Sequence, residues 1–215
     1  MMKRSGNLIV LEGLDGAGTT TQAMMLHEYF LSRGKKSYFT CEPTDEPVGK
    51  LLRDALTGRL SSPGTGKKIT FSEKARCLLF AADRQEHSLS IAKVLSNGVN
   101  VICDRYILSS IAYQMLDSSI PPEWVIEVNS GCFVPDLTIF LDVAVDECLI
   151  RLKDRKNRPT VYEKKSLLEA IRKNYKRALP VYEKHFGPVR RIDGRGAIEK
   201  THKAVIAEIE STFPS

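Results

Sequence analysis

A chain of 215 residues with 42% hydrophobic and 27% charged residues can bury one large core without disulfides, which excludes a disordered polymer. No run approaches the roughly 18 apolar residues of a membrane span, and the five apolar-or-near positions after Lys3 and Arg4 are too few for a secretory leader; a cytoplasmic protein is expected. The net charge of +6 is scattered, so phosphorylated small molecules explain it as well as nucleic acid would, and no nucleic-acid partner is expected.

The first extended run is Asn7 to Leu11, rich in β-branched residues. Gly13, Gly16 and Gly18 follow, and then Met25, Leu26, Tyr29 and Phe30 at helical spacing, so the order is strand, glycine-rich turn, helix. Such a turn aims backbone N–H groups inward beside the positive end of a helix, where an anion of several charges can sit. From Gly13 to Thr20 the spacing is that of a P-loop, with Thr20 at the hydroxyl position that contacts a metal and Thr19 where the lysine belongs. Taken alone, the loop also fits an ordinary strand-to-helix turn.

Further extended runs are Ser37 to Cys41, Asn100 to Cys103 and Leu137 to Leu141, with a weaker one, Val189 to Ile192, interrupted by Arg190 and Arg191. Helices are predicted around Val48 to Leu56, Ser72 to Leu95, Ile107 to Leu116, Ala144 to Lys153, Lys165 to Arg177 and Ile198 to Ile209, and an exposed loop over Gly58 to Lys68. Alternating strands and helices argue a parallel sheet covered on both faces, in one domain, residues 1–215. Glu42-Pro43, Asp104-Arg105-Tyr106 and Asp142 each follow a predicted strand, as does the glycine loop, so they converge on one sheet edge. Cys41, Cys77, Cys103, Cys132 and Cys148 form no CxxC pair or zinc spacing and are expected as core residues in a reducing compartment.

Leu11 to Gln22, Glu42-Pro43, Leu78 to Arg84, Asp104-Arg105-Tyr106 with Ser109-Ser110 and Ala112-Tyr113-Gln114, and Pro135 to Asp142 together resemble thymidylate kinases. The resemblance implies an α/β P-loop NTPase fold, with a five-stranded parallel sheet, helices on both faces and a small basic lid at about residues 151–163. It also implies a homodimer and transfer of the γ-phosphoryl of Mg2+-ATP to dTMP, giving dTDP.

Under that resemblance Gly13, Leu14, Asp15, Gly16, Ala17, Gly18, Thr19, Thr20 and Thr21 hold the ATP phosphates, and Thr20 the Mg2+. Asp15 orients the acceptor and the transferred group. Arg105 grips the acceptor phosphate, or else forms a structural ion pair with Asp104 or another carboxylate. Arg53 is a second phosphate contact or a solvated helix residue. Phe80 stacks on the base; without the resemblance it reads as core. Arg84 donates to a base carbonyl, Glu42 and Pro43 line the acceptor site, and Tyr113 excludes a 2′-hydroxyl. Ser110 and Gln114, one helical turn apart, read the base edge or form a plain polar surface. For Glu12 a pairing with a nearby arginine is the preferred reading.

Arg151 to Arg158 holds five cations in eight residues. Because Thr19 supplies no cation, Arg155, Arg158 or a neighbour in this basic stretch is expected to take over the missing lysine's role as the lid closes. The competing readings are a catalytically weakened nucleotide-binding module, and a kinase for another pyrimidine deoxynucleotide such as dUMP.

Overall fold

A computed structural model describes residues 6–154 and 160–214. Its strands are β1 (Leu8–Gly13), β2 (Ser37–Cys41), β3 (Asn100–Asp104), β4 (Leu137–Asp142) and β5 (Val189–Asp193). The helices are α1 (Thr19–Ser32), α2 (Pro47–Leu56), α3 (Glu73–Ser96), α4 (Ile107–Gln114), α5 (Pro122–Val128), α6 (Val145–Lys153), α7 (Lys165–Phe186) and α8 (Ile198–Thr212).

All strand pairs are parallel, in the order β2-β3-β1-β4-β5. The central strands are the near-continuous apolar runs that a sheet covered on both faces requires: Leu8, Ile9, Val10 and Leu11 of β1 are fully buried, as are Val101, Ile102 and Cys103 of β3. Each such side chain stabilises the fold by about 1.5–3 kcal/mol relative to an exposed one. The chain leaves β1 for the edge at β2, returns to β3, and then crosses to β4 on the other flank of β1. That reversal opens a crevice at the carboxyl end of β1, where α/β sheets bind ligands. Register keeps the strand ends level, with Leu11 and Cys41 both opposite Asp104, and Gly13 opposite Leu141.

The interrupted run does form β5. It is an edge strand that buries Val189 and Ile192 and leaves Arg190 and Arg191, which point to opposite faces of the sheet, exposed. Helical boundaries differ from the sequence prediction at several ends, among them α8, which runs on to Thr212. Ser72 is the N-cap of α3, its side chain accepting from Ala75 N at 3.2 Å. Helix α4 ends at Gln114, two residues early, and α7 runs on to Phe186 with Pro180 inside it. The extension holds because Ala178, Leu179, Tyr182 and Phe186 all reach the core. Helix α5, which begins on Pro122 at its first position, escaped periodicity at seven residues. The 58–68 loop is closed on itself by an antiparallel bridge between Ser61 and Lys68, with Ser62 N donating to the Lys67 carbonyl at 2.8 Å.

Candidate active site

The turn between β1 and α1 is held by left-handed glycines. Gly18 caps α1 at φ 93° without a side chain, and Gly16 sits at φ 84°, where a Cβ would lie 2.5 Å from the Cys148 carbonyl of α6. No acidic residue occupies the first turn of α1, so its dipole end faces a cavity of about 490 Å3 lined by residues 15–22, Arg105, Arg151, Gly194 and Thr201. Gly13 and Leu14 lie beneath the loop, and Thr19 is buried against Gly13.

A second cavity, of about 370 Å3, opens beside the first, and the two share Asp15, Thr20 and Arg105. Every expected acceptor residue lines the second cavity: Glu42, Pro43, Arg53, Phe80, Arg84, Arg105, Ser110, Tyr113 and Gln114. They arrive from the ends of β2 and β3 and from α2, α3 and α4, which is why they are distant in sequence and adjacent in space.

Arg105 is a left-handed non-glycine residue, φ 70°, a conformation that costs about 1–3 kcal/mol. Its guanidinium is fixed by the Asp15 carboxylate at 2.7 Å, the Gly13 carbonyl at 2.9 Å and the Tyr113 hydroxyl at 3.2 Å, and lies over the Tyr113 ring, 5.4 Å from its centroid. Burial opposes its charge, but Tyr113 and Asp15 outweigh burial and hold its pKa well above the ordinary arginine value. The carboxylate it pairs with is Asp15, not Asp104. Asp104 instead accepts from the Thr20 hydroxyl through Oδ2, and its buried Oδ1 has no hydrogen-bond partner among the described residues.

Thr20 and Asp104 thus offer hard oxygen donors at the mouth of the glycine loop, with one orphaned lone-pair site. This suits Mg2+, which needs few protein ligands when it also binds phosphates. Among the described residues no group of three or more His, Cys, Asp or Glu side chains is gathered for a metal.

Gln114 is fully buried, lines the acceptor cavity, and has neither Nε2 nor Oε1 partnered among the described residues. An amide so placed costs stability unless a ligand completes it. Phe80 is partly buried, packed against the core and open to the cavity, so it is both wall and core. Arg84 is almost wholly committed: Nε donates to Glu42 at 2.7 Å, one terminal nitrogen to Asn129, and the other to Ser110 at 2.9 Å and the Tyr106 carbonyl at 3.3 Å. That leaves one N–H of the five. Arg53 donates to the Pro43 carbonyl and to Cys41 Sγ at 3.4 Å, with Asp45 at 3.5 Å.

Glu12 corrects the sequence reading. Among the described residues it makes no direct arginine pair; its carboxylate accepts from Tyr106 N at 2.9 Å, Ser109 N at 3.1 Å, the Ser109 hydroxyl and, at 3.4 Å, the Tyr175 hydroxyl. It therefore ties the end of β1 to the start of α4, and burial raises its pKa.

Two site residues were not singled out by sequence. Arg151, counted only as part of the basic run, donates to the Ala17 carbonyl of the glycine loop at 3.1 Å and to the Gly194 carbonyl at 2.8 Å. Tyr162, which the sequence reading placed only within the span of the expected lid, lines the second cavity. Arg155 and Arg158 lie outside the described residues.

A family model described as thymidylate kinase matches residues 11–205. A "Probable thymidylate kinase" of Thermococcus kodakarensis is 40% identical over 205 residues, covering 94% of this chain and 97% of the relative. Its counterpart in Pyrococcus horikoshii is 41% identical over 206 residues, covering 95% and 96%. Among solved structures, the thymidylate kinase of Candida albicans superposes with a TM-score of 0.78 at 28% identity, covering 98% of this chain and 93% of that one. The chain belongs to the thymidylate kinase family.

Proposed function

We propose that this chain transfers the γ-phosphoryl group of ATP to dTMP, releasing ADP and dTDP. The observation that carries this reading is the meeting of the two cavities at Asp15, Thr20 and Arg105. Phosphoryl transfer needs little covalent help; it needs donor and acceptor in line and cations over the charge that spreads on the transferred group. The loop amides and Thr20 hold the donor phosphates, Arg105 presents its fork to the acceptor phosphate, and Asp15 fixes that fork. Thr20 and Asp104 would hold Mg2+, which would supply charge neutralisation for the phosphates.

Thymine presents an N–H flanked by two carbonyls, and the unpartnered Gln114 amide offers a complementary acceptor and donor. The remaining Arg84 N–H and the Ser110 hydroxyl complete the base edge, Phe80 stacks on the ring, and Tyr113 closes the 2′ side of the sugar. Arg53 supports the acceptor phosphate. Because Thr19 has no cation, Arg155 or Arg158 faces the γ-phosphate on closure of segment 151–163, which Arg151 anchors to the glycine loop. The chain works as one domain, 1–215, in a homodimer; Leu78 and Leu89, exposed on one face of α3, support that pairing. Turnover monitored by ADP release, with dTMP and then each other monophosphate as acceptor, tests the assignment. Supporting it requires strict dependence on dTMP and on a divalent metal.

A further inference from the structure

Tyr162 is a partition between two cavities. It lines the acceptor cavity together with Tyr113 and Gln114, and it also lines a separate cavity of about 310 Å3 with Glu73, Arg76, Leu116 and Val161. The residue is buried although it follows the basic segment rather than a core element.

Three elements distant in sequence hold the ring. From α4, Tyr113 meets it edge-on, with centroids 5.1 Å apart and planes at 84°. From the first turn of α3, Glu73 Oε2 accepts from the Tyr162 hydroxyl at 3.2 Å, and the Arg76 guanidinium lies 5.6 Å from the ring centroid. Glu73 and Arg76 are themselves an ion pair one turn apart, with Arg76 Nε donating to Glu73 Oε2 at 3.1 Å. From α2, the Leu56 carbonyl accepts from Val161 N at 3.1 Å, fixing the backbone beside the ring.

We propose that Tyr162, held by the Glu73 and Arg76 clamp, is a specificity-determining residue for the acceptor's sugar, acting through Tyr113. This rests on the dTMP reading above. A 2′-hydroxyl can be admitted only if the Tyr113 ring retreats. With Tyr162 in place, retreat displaces a buried ring that is hydrogen-bonded on one edge and capped by a cation, and packed interiors resist such shifts. Truncating Tyr162 joins the outer cavity to the acceptor cavity and gives Tyr113 room to move. Discrimination is thus set by what stands behind the contacting ring as well as by the ring itself.

The test compares dTMP with its 2′-hydroxyl counterpart, ribothymidine 5′-monophosphate, in the wild type, Tyr162→Leu, Tyr162→Phe and Arg76→Met. Both kcat/KM and calorimetric Kd are measured. The preference for the deoxy form should fall about tenfold or more in Tyr162→Leu and about threefold in Arg76→Met, while Tyr162→Phe, which keeps the ring, recovers most of it. The loss should lie in KM for the acceptor, with KM for ATP unchanged, a split that general loosening of the fold does not produce. A preference within about twofold of wild type in both Tyr162→Leu and Arg76→Met overturns the proposal. Arg76 lines no part of the acceptor cavity, so its variant decides the matter if Tyr162→Leu does not fold. Calorimetry separates the two readings: a wild type that binds no dTMP contradicts the function, whereas one that binds dTMP and its ribo counterpart equally contradicts the wall alone.

Discussion

Asp15 and Arg105 stand 90 residues apart in sequence and are joined by a 2.7 Å ion pair where the two cavities meet. The pair gives the guanidinium a fixed orientation before any phosphate arrives, so little reorganisation is left for the reacting state. Replacing Arg105 by lysine keeps a charge and loses the planar fork. Arg105→Lys should lower kcat/KM for dTMP by about a hundred- to a thousandfold, the range expected when one oriented donor is lost. Steady-state rates at saturating ATP check this, and a loss below about fivefold would show that the fork is not used.

Gln114 predicts effects of opposite sign on stability and on binding. Its buried amide is unpartnered among the described residues, so Gln114→Leu removes a polar group that folding leaves unsatisfied, at nearly constant volume. Denaturant unfolding of the ligand-free chain should show stability unchanged or raised by about 1 kcal/mol. The same variant should bind dTMP about 10- to 100-fold more weakly, because it leaves the base edge unpaired. A destabilised variant with unaltered dTMP affinity would assign Gln114 to the core.

Glu12 makes the fold sensitive to pH in a particular direction. Burial raises its pKa above 4.5, so the folded protein holds this proton more tightly than the unfolded chain does. Its contribution is therefore fully present below the unfolded value and is lost as pH rises through the folded one. Glu12→Gln cannot lose a proton. Thermal unfolding across about pH 4 to 8 should show the wild type losing stability relative to Glu12→Gln as pH rises. A constant difference between the two would contradict a raised Glu12 pKa.

Much of this site was legible in the sequence because its pieces follow strands. Runs such as Leu8 to Leu11 are apolar on both faces, and in a parallel sheet the residues after them must gather at one edge; the glycine loop, Glu42 and Arg105 were found that way. What escaped depends on contacts that no local pattern encodes. Glu12 sits in a strand among apolar neighbours and looks like half of an ion pair, but the N–H groups that satisfy it belong to Tyr106 and Ser109. Tyr162 is placed by Glu73, Arg76 and Tyr113, none within 40 residues of it. Helix α5 is short and starts on proline, so it offers too little periodicity to read.

Thr19 bears on how the reaction compensates for a loop without lysine. If Arg155 or Arg158 supplies the cation, Arg155→Ala or Arg158→Ala should reduce kcat by about tenfold or more, since contacts made in the transition state are worth about 2.7–4 kcal/mol. Thr19→Lys should then change turnover little in the parent and restore it in the arginine variants. A Thr19→Lys variant that rose by orders of magnitude from near-zero activity would indicate a binding module that has lost catalysis.

In the proposed reaction one chain brings a nucleoside triphosphate and a pyrimidine deoxynucleotide to a shared edge and moves phosphate between them. ADP and dTDP formation in a mixture of ATP, dTMP and magnesium measures it most directly. The two products should form in equal amounts, with no ADP when dTMP is omitted. ADP formed at the same rate without dTMP, or no product at saturating concentrations of both nucleotides, would contradict it.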